Sequence, residues 1–492
     1  MARLTVALVG LFAILYAILQ IDGVSAPLEI KRVSIGSIPA TLRRLPSARP
    51  APVIVIAHGF AGSRQLMAPF AVTLARAGYV TLSFDFPGHG RNPSPMVLVD
   101  DDATAALLAA LQAVVGEARA RYEGDGRVGV LGHSMAADIV VRAAIADPEI
   151  AGTVAVSMFS QAVTAEAPGN LLMLVGAWET PLVAEALRVL QLAAGPEAAR
   201  DRIYGSTAAQ QARKVVVVPS TEHVSVLYSS RSLSEARDWF DLVFTRTYPF
   251  RADTRGPWVL LLLAGVVALG WPLSHLLPRG ARRDPGTLKS GWRAILIPAI
   301  ATPLILWPVP TDFLDILVAD YLALHFALYG IMLAALLLHA GVWRAAWPGP
   351  KAVLSGLAAS VFCILGPGLA LDSYVANFMP HAGRLPLIAV LALGTLPYTL
   401  AEEALIRAPG AAWWTGLLSK FAFLLSLVAA IALDLENLFF LIIILPVIVL
   451  FFLVYGLIGR WIFASTRHPV APGLALGLAF AWALGVTFPL AG

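Results

Sequence analysis

The sequence predicts three parts: a transmembrane helix, an α/β domain with a doubly wound parallel sheet, and an all-α polytopic membrane domain. Three observations carry that expectation. First, the 492 residues are 58% hydrophobic and only 13% charged, with a mean hydropathy of +0.76, which is too apolar for a soluble globule. Second, the charge is uneven: residues 26–255 have soluble-domain composition, whereas nearly everything after them is long apolar runs broken by short polar clusters. Third, Arg127–Ala137, RVGVLGHSMAA, reads as a buried strand, a tight turn with Ser134 at its apex, and an alanine-rich helix. The expected boundaries are 1–25 for an anchor, 26–255 for the α/β domain and 256–492 for about eight membrane helices.

In chain order, Leu4–Ile21 is charge-free and mostly apolar, near the minimum for a bilayer-spanning helix. Ser25 and Ala26 are small, as at a signal-peptide cleavage site, but Pro27 follows directly, so the reading is an uncleaved anchor. Lys31–Thr41 alternates in a way that suits an early hairpin. Val53–Ala57, Tyr79–Phe84, Arg127–Leu131, Thr153–Val156, Leu171–Val175 and Val215–Val218 are short apolar runs separated by helix-period stretches, the longest being Ala103–Tyr122. Continuous apolar strands alternating with helices indicate a parallel sheet covered on both faces. From Trp258 eight apolar runs follow: Trp258–Leu277, Ala294–Val309, Tyr321–Val342, Val353–Leu371, Leu385–Leu400, Trp414–Leu433, Leu438–Leu457 and Val470–Leu490.

Loop charges orient the chain. With Met1 cytoplasmic, the cytoplasmic loops contain Arg279, Arg282, Arg283, Lys289, Arg293, Arg344, Lys351, Arg407, Arg460 and Arg467. The opposite loops contain Asp312, Asp315, Asp320, Asp372, Asp434 and Glu436, with Arg384 their only lysine or arginine. This positive-inside bias predicts a multi-pass protein of a bacterial inner membrane, with residues 26–255 facing the periplasm or outside. The single cysteine, Cys363, excludes an intrachain disulfide framework. A net charge of +4, with basic residues gathered in loops between apolar runs, fits membrane orientation rather than nucleic-acid binding.

The chemistry starts at Ser134. A serine nucleophile needs a base, and the base needs a carboxylate to hold its tautomer. Gly132 and Ala136 stand two positions either side of the serine, where the backbone of a strand-to-helix elbow is pressed together and small residues are required. After Leu171–Val175 comes the turn GAWET, in which Glu179 is the only acid; Glu222 and Asp201 are its rivals for the carboxylate role. After Val215–Val218 comes PSTEHV, which offers His223 as the last of three strand-end histidines, the others being His58 and His89. For His58 and His89 the expectation is turn residues bonded to backbone near the site, and for Asp85 a turn-stabilising role. Two backbone N–H donors are needed for an oxyanion, and the candidates are Met135 and Phe60. Asp100–Asp102 is expected to lie at a helix N-terminus, where the dipole favours negative charge.

HGFAGS at 58–63, DFPGHG at 85–90, GHSMA at 132–136, VGAWE at 175–179 and STEH at 220–223 make the segment from about Pro52 to Phe244 resemble the α/β-hydrolase family. The resemblance implies a triad of Ser134, His223 and Glu179, an oxyanion hole from Phe60 and Met135, and a site lined by His58, Gly59 and His133. Ala136 replaces the usual glycine and Glu179 the commoner aspartate. About fourteen residues join the strands at Val156 and Leu171, too few for an inserted cap domain. The expected activity is a membrane-anchored serine hydrolase of esterase or lipase type, cleaving an ester or amide of a lipid or envelope-borne substrate through an acyl-enzyme. Its expected partners are membrane lipids and a small-molecule, lipid or lipoprotein acyl substrate, with no cofactor, metal or nucleic acid. Rival readings are an acyltransferase using the same triad and a non-catalytic receptor or scaffold.

In the second half, Glu402, Glu403 and Arg407 form an E-E-x-x-x-R sequence that resembles the first motif of the CAAX-protease and bacteriocin-processing family, and Phe451–Gly485 resembles the end of that domain. That family uses glutamate with later histidines to activate water. Here Phe421–Leu433 and Ala471–Phe488 carry no histidine, and His468 lies in a loop. The expectation is a degenerate relative without peptidase chemistry, in which a glutamate pairs with Arg407 on one helix face; a binding or transport role is the alternative.

Overall fold

In the computed structural model the described residues are 1–46, 50–97, 100–122, 124–279, 291–311, 313, 318–342 and 349–491. Arg282, Arg283, Lys289, Asp312, Asp315 and Arg344 of the orientation argument lie outside them. Two compact units make up the chain: Met1–Leu15 with Leu261–Ala370 and Phe378–Phe488, and Tyr16–Leu260 with Leu371–Asn377 and Pro489–Gly492.

The second unit is built on an eight-stranded sheet. Its elements are β1 (Glu29–Ile35), β2 (Ile38–Arg44), β3 (Ala51–Ala57), α2 (Ala68–Arg76), β4 (Val80–Phe84), α3 (Asp100–Ala120), β5 (Gly124–His133), α4 (Met135–Ala146), β6 (Ile150–Val156), β7 (Leu171–Gly176), α5 (Thr180–Ala194), β8 (Arg213–Val218) and α6 (Ser230–Phe244). The helix before them, α1, spans Ala2–Ser25. The strand order is β1-β2-β4-β3-β5-β6-β7-β8. The first two strands form the antiparallel edge hairpin, and every pair from β4 across to β8 is parallel. Alternate residues of one strand feed opposite faces. Val53 and Val55 pack with Leu111 and Val114 of α3, whereas Ile54 and Ile56 pack with Phe70 of α2 and Trp239 and Phe240 of α6. Strand β3 is followed in sequence by β4 on one side, and β5 lies on the other. The chain therefore reverses direction beside β3, and the crevice of an open α/β sheet opens at the carboxyl ends of strands at such a switch point.

Among the described residues, nine helices are long and apolar enough to cross a membrane. One of them, Asp102–Ala120, belongs to α3. Its Leu107, Leu111, Val114, Val115 and Ala118 are buried against the sheet, so its apolar content serves the soluble-type core. The eight apolar runs of the second half all fall on helices: α7 (Gly256–Ser274), α8 (Gly291–Leu306), α9 (Ala319–His339), α10 (Pro350–Tyr374), α11 (Leu385–Ile406), α12 (Thr415–Leu433), α13 (Leu441–Thr466) and α14 (Val470–Thr487). The shortest, α8, has 16 residues and carries Pro298 and Pro303 inside it.

Within the helical unit, α11 is central. A Cβ on Gly330 of α9 would come within 2.3 Å of the Tyr398 backbone, and one on Gly394 within 2.3 Å of Ala323 O. On its other side, Thr395 and Thr399 Oγ1 donate to the carbonyls of Gly477 and Gly473 on α14, both at 2.8 Å. Small residues and short hydroxyls let apolar helices approach where hydrophobicity between them supplies no driving force.

Candidate active site

Ser134 stands between β5 and α4 with φ 56° and ψ −119°, a strained conformation for a non-glycine residue that lifts its side chain clear of the sheet. The neighbours make this elbow possible. A Cβ on Gly132 would sit 2.3 Å from Ala136 O, and a Cβ on Gly59 would sit 2.9 Å from Ser134 Cβ. Ala136 itself is fully buried in the core, so a methyl group fits where a glycine is commoner. The Ser134 N–H donates to Val156 O at 2.9 Å, tying the elbow to β6.

His223 Nε2 is 2.9 Å from Ser134 Oγ, and His223 Nδ1 is 2.6 Å from Glu179 Oε1. With Nδ1–H donated to the carboxylate, Nε2 is left to accept from the serine hydroxyl. The other carboxylate oxygen, Oε2, accepts from Ser157 Oγ and from the Gly176 N–H, each at 2.7 Å. Burial acts to raise the Glu179 pKa, but the hydrogen bonds from His223, Ser157 and Gly176 outweigh it and hold the carboxyl below its usual range. The rivals are engaged elsewhere. Glu222 accepts from the N–H groups of Val224 and Ser225, and Asp201 pairs with Arg231.

The proposed oxyanion donors flank the serine. Met135 is the first residue of α4, and the first N–H groups of a helix have no intrahelical partner and lie at the positive end of its dipole. Phe60 follows Gly59, which lies against Ser134. The side chains of Phe60 and Met135 pack on the same apolar cluster.

His58, His89 and Asp85 hold turns. His58 Nε2 accepts from Phe86 N at 3.1 Å, so its Nδ1–H donates to Gly59 O at 2.8 Å. His89 Nδ1 donates to Pro87 O at 2.9 Å. Asp85 accepts from the N–H of Arg64 and of Arg91 and pairs with the Arg64 guanidinium. His133 Nε2 donates to His223 O at 2.8 Å, so it steadies the loop of the base. Burial pushes the pKa of His58 down to about 4 and, with the repulsion of His223, that of His133 down to about 3. Both are therefore neutral at ordinary pH.

Glu402, Glu403 and Arg407 lie in the helical unit. Glu403 pairs with Arg407 at 3.0 Å, one turn along, and Glu402 with Lys420 of α12 at 2.8 Å. The glutamate–Arg407 pairing matches the helix-face expectation; Lys420, a turn into α12, is a partner that the motif does not contain.

Residues 48–222 match the family model described as serine aminopeptidase, S33. Among solved structures, the chain is similar to a dienelactone hydrolase from Anabaena variabilis at 16% identity and a TM-score of 0.33, covering 45% of this chain and 100% of that one. It is also similar to E-2-(acetamidomethylene)succinate hydrolase at 15% identity and a TM-score of 0.32, covering 44% and 99%. A third likeness is to an epoxide hydrolase from Vigna radiata, at 20% identity and a TM-score of 0.23, covering 27% and 39%. The segment carrying Ser134 has an α/β-hydrolase-like sheet and matches the S33 family model over residues 48–222; the chain also has an N-terminal apolar helix and an all-helical apolar region. The family match stops one residue short of His223, so the base rests on geometry and not on the match.

Proposed function

We propose that the protein is a membrane-anchored serine hydrolase that forms an acyl-enzyme on Ser134. The observation that carries this reading is the unbroken relay from Ser134 Oγ to His223 Nε2 at 2.9 Å and from His223 Nδ1 to Glu179 at 2.6 Å. His223 takes the serine proton as Oγ attacks the substrate carbonyl. The developing oxyanion is met by the N–H groups of Met135 and Phe60. The protonated imidazole, held by Glu179, then gives its proton to the leaving group, and water releases the acyl group by the same steps.

The bond is an ester or an amide; the serine aminopeptidase description of the matching family model supports including the amide. The substrate class proposed is a lipid or other envelope-borne acyl compound. Apolar side chains beside the triad residues support it: Trp178, next to Glu179, is 68% exposed, and Val224, next to His223, is 47% exposed. Singly exposed apolar residues are ordinary, but two in the turns that hold the acid and the base suit an apolar substrate. The proposed location is a bacterial inner membrane with the hydrolase unit outside, on the loop charges.

Purified full-length protein incubated with a fluorophosphonate probe tests the reading. Labelling of wild type that is lost in Ser134→Ala and His223→Ala is expected; an unlabelled wild type overturns it. A periplasmic reporter fused near Thr254 is expected to be active, and a cytoplasmic readout there overturns the orientation.

A further inference from the structure

The loop that carries Phe60 does not stand alone. It is knitted to the loop after β4 by His58, whose ring accepts from Phe86 N, by the Arg64–Asp85 pair, and by the Phe60 ring, which meets His89 edge-on at 5.8 Å. Gly90 sits so close to Asp85 that a Cβ there would come within 2.5 Å of the carboxylate. Phe60, the proposed oxyanion donor, lies in the first of these loops, so the position of the pair bears on that donor.

Two stretches from far along the sequence close on this pair of loops within the same unit. Asn377 joins both at once. Its N–H donates to Ser63 Oγ at 3.0 Å, its Nδ2 donates to Gly90 O at 3.2 Å, and its Oδ1 accepts from Arg91 Nε at 3.1 Å. The same Arg91 reaches Asp372, 281 residues further along the chain, at 2.6 Å. Asn377 and Ser63 are buried, so the bonds of Asn377 to Ser63 and Gly90 are shielded from water. The tail adds a short parallel bridge: Leu490 N donates to Gly88 O at 2.9 Å, and Met96 N donates to Leu490 O at 2.7 Å.

Resting on the serine-hydrolase reading, we propose that Asn377, Asp372 and Arg91 form a positioning clamp for the oxyanion side of the Ser134 site. The segment 371–377, which begins in the last turn of α10, thereby completes a site whose proposed nucleophile, acid and base all lie in turns at the ends of sheet strands. None of the three touches the reacting atoms. They act through Ser63, Gly90 and the loop bearing Phe60. An oxyanion contact is made in the transition state rather than the ground state, so loosening it lowers kcat while leaving KM nearly unchanged.

The experiment uses full-length protein in detergent, a fluorophosphonate probe and p-nitrophenyl butyrate. Labelling rates are taken per labelled site, so a loss of folded protein lowers the amplitude and not the rate. Asn377→Ala and Arg91→Ala are each expected to slow labelling and kcat about tenfold, with KM within about twofold, as a small misplacement at a distance does. Because the two share one network, the double variant is expected to lose about tenfold as well, not the product of the two. Arg91→Lys, which keeps a cation for Asp372, is expected to recover part of the rate. Single variants that label within about twofold of wild type, or a double variant whose losses multiply, overturn the clamp. A wild type that does not label at all overturns the hydrolase reading and the clamp with it, and that result is distinct from the other two.

Discussion

Glu179 and Glu403 are both buried glutamates, and the two units treat them in opposite ways. Glu179 is held by a histidine, a hydroxyl and a backbone N–H. Glu403 is held by an arginine on its own helix, and its neighbour Glu402 by Lys420. A histidine partner carries a proton that can move on and off at ordinary pH, whereas arginine stays charged. The first arrangement suits the proposed role of His223 as a base that cycles during a reaction. The second sets a cation against each carboxylate, which suits an apolar surrounding where an unpaired charge is costly.

The contrast can be broken or sharpened by experiment. The largest effect is expected at the nucleophile: Ser134→Ala is expected to lower kcat on p-nitrophenyl butyrate by about 10⁶-fold and to abolish labelling. A variant retaining more than a small fraction of wild-type turnover would move the chemistry to another residue. Glu179→Gln comes next. It keeps the shape but offers an amide to His223, and is expected to cost about 10⁴-fold in kcat through the wrong tautomer. A loss of tenfold or less would show that the carboxylate is dispensable and weaken the comparison.

In the helical unit the effect belongs to stability instead. Lys420→Met leaves Glu402 without its cation and is expected to destabilise the full-length protein by about 3 kcal/mol, read as a lowered thermal midpoint. Its labelling rate per site is expected to match wild type; a proportional loss of labelling rate would show that the pair serves the hydrolase chemistry. The effect that is smallest per step of the measurement concerns pH. His133 is buried with a pKa near 3, against an ordinary value of 6.5. Below pH 6.5 the unfolded chain takes up a proton that the folded one refuses. The stability from this residue is therefore full above pH 6.5 and is lost as pH falls toward 3. Between those values it contributes a slope of about 1.4 kcal/mol per pH unit. His133→Asn is expected to flatten the acid side of a midpoint-versus-pH curve by about that amount, and an unchanged slope would contradict it.

Much of the candidate site was legible in order and type. Ser134, Glu179 and His223 stand out because each follows an apolar run at a strand end, and the fold brings Ser134 and Glu179 each within hydrogen-bond distance of His223. Ser157 was missed. It lies one residue past β6 with φ 53°, and nothing local marks a serine there as a partner for Glu179. Lys420 was missed because it sits 18 residues from Glu402 on another helix, beyond any motif spacing. In α3 composition alone points to a membrane span, but its place between two strand runs assigns it to the sheet domain, where one face packs on the strands.

What the sequence determined by itself is what a few neighbouring residues can settle. A run of β-branched residues makes a buried strand, Gly132 and Ala136 allow an elbow at Ser134, and a stretch of some twenty apolar residues makes a long helix. Each of these follows from local sterics and from the period of hydrophobicity. The tertiary structure alone decided which distant groups share a hydrogen bond. It placed Ser157 behind Glu179, Lys420 beside Glu402, and Asn377 across the two loops that frame Ser134. Those contacts depend on where the chain returns after tens or hundreds of residues, and short-range pattern carries no record of that distance.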